Sequence, residues 1–467
     1  MGRLLAGVGR ATITPPVGSW LMGYASRDKE STSRHDDLVA TALVLFDGET
    51  RVAIVTCDLI FLHPTTVACI REQVSARTGI PADHVMICCS HTHSGPAPFA
   101  GQQDAAVRNL HSSYVDNLVH LVAGAVSEAN HDLHQAAWGV GRGKVAIGIN
   151  RRQPQADGSL ILGENPLGAV DTELVILRID ALDEEGAGRH PLAALANYAC
   201  HAVCLSSNSY AISADWPGVM RREAEAATGA MVGLIQGACA DINPTGGPQD
   251  SFDNAQNLGG MVAQELTRVY AQITLQREAR LQAMRKDLRL PLLAPPVGGG
   301  GPVPTLETTF AERAAAILKM TPHEALSYLD QRFPWMAKVE LESQGGTVGE
   351  GAWATWAEVQ GVRMSEPRTR AGDLAAPSGD VALVGVAAEP FAEIGMEVKS
   401  KSTSRDTIFA GYANGSIGYL PTPQAYEEGG YEVDTSYIYY RLPASLSPAC
   451  AGIVIGEMLD LIESMGE

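Results

Sequence analysis

Over residues 1–275, short apolar runs rich in β-branched residues take turns with stretches of helical spacing. TALVLFDGETRVAIVTCDLIFL reads as two strands joined across Asp47-Gly48, a dipeptide suited to a tight hairpin turn. TTVACIREQVSARTG predicts a helix, HVMICCS a strand and YVDNLVHLVAGAVSEAN a second helix. ELVILRID and PLAALANYACHA read as strands, PGVMRREAEAATG as a helix and MVGLIQGACAD as a strand. This alternation predicts an α/β protein, with a mixed β-sheet core and surrounding helices.

The pattern changes at Leu293 to Thr309, LAPPVGGGGPVPTLETT, whose proline and glycine content predicts a linker or loop. TFAERAAAILKMTPHEALSYLDQRF and AWATWAEVQ then read as helical, which predicts one domain over residues 1–467 carrying a linker and helical insertion at about 290–375. The α/β rhythm returns with VALVGVAAEP and TIFAGYANGSIGYLP as strands and ACAGIVIGEMLDLIESM as a closing helix.

Composition narrows the function classes. The 467 residues are 45% hydrophobic, enough for a large core, and their formal charge of -19 argues against a nucleic-acid partner. The N-terminal stretch lacks a signal-peptide core and no apolar span reaches membrane-crossing length, so the expectation is a cytoplasmic protein without integral membrane association, acting on a small molecule. The eight cysteines show no paired framework, which favours reduced thiols; Cys200 and Cys204, bracketing His201, make at most a weak structural zinc motif.

The polar residues with chemical potential sit where apolar runs break into Gly, Pro or Ser turns, the strand ends at which open α/β sheets place ligands. In MICCSHTHSGPAP, His91 and His93 stand one residue apart, and an extended backbone would point both imidazoles to one face. His201 ends NYACHA, and Glu389 ends VALVGVAAEP. Each has an ordinary structural explanation, but together they supply the nitrogen and oxygen donors that suit Zn²⁺, one per chain, with a position open for water. Asp215 reads as a helix N-cap, Asp241 as an Asx turn, and Arg151-Arg152 as either a solvated pair or buried guanidinium groups. No phosphate-binding glycine fingerprint or nucleophile elbow is present.

The chain resembles the neutral ceramidase family, zinc amidases that cleave N-acylsphingosines. The resemblance rests on AGVGRATITPPVGSWLMGYASR, SHTHSGP, NYACHA, GACADINP, AAEPF and the Tyr419 to Tyr431 region in that order, over roughly residues 5–275 and 380–442. It implies that His91, His201, Glu389 and Tyr419 hold zinc, that His93, Arg151 and Tyr431 serve catalysis, and that Asp241 and Asn243 line the substrate site. Asn243 stands where the family carries a serine, and the expectation is a chain without the family's C-terminal immunoglobulin-like domain and export signal.

The resulting expectation is a zinc-dependent amidohydrolase working through a metal-activated water on a linear N-acyl compound smaller or more polar than ceramide. Three rivals stay open. They are a zinc esterase or lactonase on the same site, a binding protein that keeps the fold without the chemistry, and a two-metal phosphoesterase drawing on Asp58, Asp215 and Asp241. Trp335, Trp353 and Trp356 are either the insertion's own core or part of a pocket wall or lid.

Overall fold

Successive residues in the central strands are buried on opposite faces, which explains why those strands read as unbroken apolar runs. Ala40, Ala42 and Val44 enter one apolar cluster and Leu43 and Leu45 another; Val85, Ile87 and Cys89 alternate with Met86 and Cys88 in the same way. The computed structural model describes residues 3–97, 105–183, 188–293, 306–332, 342–343, 353–366 and 379–466.

An eight-stranded mixed sheet runs in the order Met231–Gln236, Arg189–Tyr198, Glu173–Leu182, His134–Lys144, Leu5–Thr12, Val39–Phe46, Arg51–Cys57, Val85–Cys89. Its inner pairings are antiparallel, and the strand at each edge joins its neighbour in parallel. The helices Pro64–Thr78, Ala105–His131, Asp215–Thr228 and Asp253–Tyr270 cover one face.

A second sheet closes the other face. It is built from Arg280–Pro291, Trp353–Ser365, Asp380–Val386 and Asp406–Ala410, with Glu342–Ser343 paired at one side. Val381 and Leu383 point into the cluster shared with the first sheet; Ala382, Val384 and Val386 point the other way, towards the helices Ala392–Lys401 and Ala449–Ser464. The result is helices, sheet, sheet and helices in four layers. No helix among the described residues is long and apolar enough to cross a membrane.

The structure corrects two sequence readings. AWATWAEVQ is not helical: it opens the strand Trp353–Ser365, paired on one edge with Arg280–Pro291 and on the other with Asp380–Val386. Its Ala and Glu residues favour a helix weakly, and pairing on both edges outweighs that preference. Within the stretch read as a linker, Leu306–Thr309 already belongs to the helix Leu306–Leu318, and the preceding 294–305 lie outside the described residues. The helical reading holds for Leu306–Leu318 and Pro322–Arg332, where a capping exchange between Thr321 and Glu324 starts the second helix.

Candidate functional site

The two edge strands of the large sheet meet at their C-terminal ends, and a buried glutamine joins them. Gln236 Nε2 donates to Ser90 O at 2.9 Å and to Cys200 O at 2.8 Å, while its Oε1 accepts from Cys200 N at 3.2 Å. The residues that follow Ser90 and Cys200 are His91 and His201. One side chain therefore sets the spacing of two histidines that are far apart in sequence.

The strand ends at Cys89, and His91 lies in the left-handed region with φ of 62°. Strand alternation therefore does not align His91 with His93, contrary to the expectation from spacing. A left-handed backbone costs a non-glycine residue about 1–2 kcal/mol, and here it is held by His91 N donating to Leu59 O and Nδ1 donating to Ile60 O, both at 2.9 Å. The His91 ring also stacks on Tyr412, with centroids 3.9 Å apart, and the Tyr412 hydroxyl meets Cys239 Sγ at 3.3 Å. His201 Nδ1 donates to Cys239 O at 2.6 Å. Each Nδ1–H is thus spent on a carbonyl, which leaves Nε2 as the basic nitrogen on both rings.

His91, His93 and His201 present ring nitrogens that all lie within 4.8 Å of one another. His91 Nε2 and His93 Nε2 are 3.1 Å apart, with the rings nearly perpendicular. Burial holds all three imidazoles neutral, pushing His91 down to about 3 and the other two well below their usual range. Glu389, 1% exposed, places Oε2 at 3.5 Å from His91 Nε2. That oxygen has no hydrogen-bond partner, although Oε1 accepts from the Tyr440 hydroxyl. Burial raises the Glu389 carboxyl to about 7.

A fixed cation closes the cluster. Arg151, 5% exposed, points Nη1 at His201 Nε2 (3.4 Å) and donates from Nη2 to Tyr419 Oη at 3.0 Å. Its Nε donates to Glu432 Oε1 at 2.8 Å, and Arg152 donates to Glu432 Oε2 at the same distance. The Arg151-Arg152 doublet is therefore buried around one carboxylate rather than solvated. Tyr419 reaches the site because Glu389–Pro390 and Tyr419–Leu420 pair in parallel, with Glu389 opposite Tyr419. The Tyr431 ring stands edge-on to Tyr419 at 5.7 Å.

His91, His93, Glu389, Tyr419 and Tyr431 line one cavity, with Tyr24, Phe61 and Tyr440 among its other walls. Asp241 and Asn243 do not line it. The Asp241 carboxylate accepts from Asn150 Nδ2 at 2.9 Å and Ala392 N at 2.8 Å and faces a separate cavity. Asn243 lies in the short strand Ile242–Pro244. Asp58 is bonded to Val39 N and Arg221, and Asp215 to the backbone N–H of Cys204, Leu205 and Trp216. Asp215 is the first residue of its helix rather than the N-cap. These acids gather no second metal cluster among the described residues. Trp353 packs in the second-sheet core, Trp356 is 44% exposed, and Trp335 lies outside the described residues.

Sequence reasoning missed Gln236, Tyr412, Glu432, Tyr440, Tyr24 and Gly23. Only the tyrosine-rich run before Arg441 and the doublet's need for a buried acid hinted at any of them. Gly23, at φ 113°, lies against the His93 ring so closely that a Cβ would stand 2.4 Å from His93 Cγ.

The residues present fit a metal ion. Two neutral imidazoles whose Nε2 atoms are left as the acceptor nitrogens, beside a buried carboxylate oxygen with no hydrogen-bond partner, are a donor set that suits a cation. The sequence model for the N-terminal region of neutral/alkaline non-lysosomal ceramidase matches residues 4–274. Among solved structures, neutral ceramidase from Pseudomonas aeruginosa superposes with a TM-score of 0.69 at 19% identity, covering 99% of this chain and 74% of its own. A ceramidase complexed with C2 gives 0.69 at 18% identity, covering 100% and 76%. At such identities the structural likeness is one of fold, and the family assignment comes from the sequence match over more than half the chain: the protein belongs to the neutral/alkaline non-lysosomal ceramidase family and has its hydrolase fold.

Proposed function

We propose that the protein is a zinc-dependent hydrolase of an amide bond in a linear N-acyl compound, with His91, His201, Glu389 and Tyr419 as the metal donors. The observation that carries this reading is Glu389 Oε2, buried and unpartnered 3.5 Å from His91 Nε2. Zinc, when bound, supplies Lewis-acid polarisation of the carbonyl and a lower pKa for the attacking water.

The chain's own residues do the rest. His93, neutral through burial, takes the proton that the attacking water loses and passes it to the departing amine nitrogen. Arg151, held by Glu432 from behind, offers its guanidinium to the oxyanion, and Tyr431 orients the acyl group from the cavity wall. Asn243 is not required as a nucleophile in this scheme. The test is metal analysis together with turnover of a short fluorogenic N-acyl amide. We expect zinc near one equivalent and cleavage that a chelator abolishes and zinc restores; full turnover by metal-free protein would refute the proposal.

A further inference from the structure

The cavity over the histidines is narrow. Counting its crevices and open mouth, the empty space is about 720 Å³, but the part that a water-sized group can enter is about 80 Å³. A cavity of about 150 Å³ holds a benzene ring, and sites for drug-sized molecules run to roughly 300–1,000 Å³. The enclosed part is about half the volume that holds a benzene ring.

What narrows it is a wall backed by the inserted helices. Met22, Ile60 and Phe61 line the cavity and belong to the same apolar cluster as Phe310, Ala314 and Leu329, with Tyr439 and Tyr440 packed against that cluster. The helices are tied to the tyrosine segment at two points, where Arg441 donates to Asp330 Oδ1 at 2.6 Å and Arg313 to Pro443 O at 3.0 Å. Phe61 is 5% exposed and its ring faces Tyr440 at 6.1 Å. Close-packed aromatic walls backed in this way do not yield cheaply to an inserted chain.

We infer that this wall, with Phe61 at its centre, limits the substrate. One arm of the amide is enclosed and is no larger than about four carbon atoms, while the other leaves through the mouth. The inference deepens the amide-hydrolase reading and rests on it for the word amide. It makes Phe61 a specificity-determining residue, acting through the shape of the space beside the histidines. It also separates the preferred substrates from amides with two long chains.

Two panels of fluorogenic amides test it, one varying acyl length and one varying amine length from two to sixteen carbons. We expect kcat/KM to fall at least tenfold between four and eight carbons in one panel, whichever arm is enclosed. In Phe61→Ala that break should move to longer chains, with zinc content unchanged. Equal or faster cleavage of amides with two long arms would overturn the inference. Calorimetric binding of butanohydroxamate and decanohydroxamate to the zinc-loaded protein separates the two readings. If no amide is cleaved but the short ligand binds at least as tightly as the long one, the amide reading fails and the size limit stands. If decanohydroxamate and N-decyl acetohydroxamate both bind tenfold more tightly than butanohydroxamate, the size limit fails.

Discussion

The floor and the roof of the cavity are built on opposite principles. On the floor, the Nδ1 atoms of His91 and His201, the Gln236 amide and the Arg151 guanidinium are paired through backbone carbonyls or buried side chains; the first three sit at strand ends of the large sheet and Arg151 in the strand Gly148–Pro154 of a smaller one. On the roof, Leu306–Leu318 and Pro322–Arg332 meet the cavity wall chiefly through apolar side chains, with two guanidinium contacts at the margin. Hydrogen bonds with short directional geometry fix the position of a reacting group; apolar packing fixes a volume and tolerates substitution that conserves it. Chemistry and size selection are therefore placed in parts of the molecule that can change independently.

Substitutions on the two sides should separate accordingly. The largest effect is expected for His201→Ala, with loss of bound zinc and about a thousandfold or greater loss of turnover, read by metal analysis and steady-state kinetics. Arg151→Met should retain zinc and lose about 10²–10³ in kcat if the proposed role of Arg151 at the oxyanion holds, while Glu432 keeps Arg152 as a partner. If it lost zinc as well, the floor would be a single unit rather than a metal site with a separate cation.

Asp241 gives a thermodynamic test of how deeply the floor is buried. Burial raises its carboxyl from 3.8 to about 7, so the folded chain keeps a proton that the unfolded chain releases. That contribution to stability is complete below about pH 4 and is lost as pH rises through about 7. Asp241→Asn lacks this dependence. The stability difference between variant and parent should therefore shift towards the variant by about 2–3 kcal/mol between pH 5 and pH 7.5, measured by urea denaturation.

Gly23→Ala should cost about tenfold in kcat and about 1–2 kcal/mol in stability, since its Cβ overlaps His93 and its φ disfavours any side chain. The smallest change belongs to the roof. Asp330→Ala breaks the contact with Arg441 but should cost under about 1 kcal/mol in thermal or urea denaturation and leave zinc content intact, because Asp330 is 43% exposed on its side chain.

The sequence carried the elements with strong periodicity and the polar residues that end them. His91, His93, His201 and Glu389 follow the ends of apolar strands, and such ends are visible in one dimension; Arg151 lies inside the strand Gly148–Pro154, and Tyr419 and Tyr431 open short elements of their own. The partners that position them were not. Gln236 looks like the last residue of a strand, Glu432 like one acid among many, and Tyr412 like any aromatic in a glycine-rich loop; each acquires its role from a contact tens to hundreds of residues away. Asp241 shows the converse, since a strand-end acid within a family motif turns out to serve the backbone of Ala392 and the Asn150 amide. The strand Trp353–Ser365 was hidden for a related reason: long-range pairing on both edges overrode a composition that suits a helix.

The Gln236 amide has a consequence for the order in which the molecule can assemble. It links the ends of Val85–Cys89 and Arg189–Tyr198 from the opposite edge strand, so its three bonds form only once both edges of the eight-stranded sheet are in place. Contacts between segments so distant in sequence are slow to form, because the chain entropy of closing the intervening loops is spent first. The placing of His91 beside His201 therefore depends on contacts of long sequence separation, and local segments of the chain cannot assemble the histidine cluster on their own.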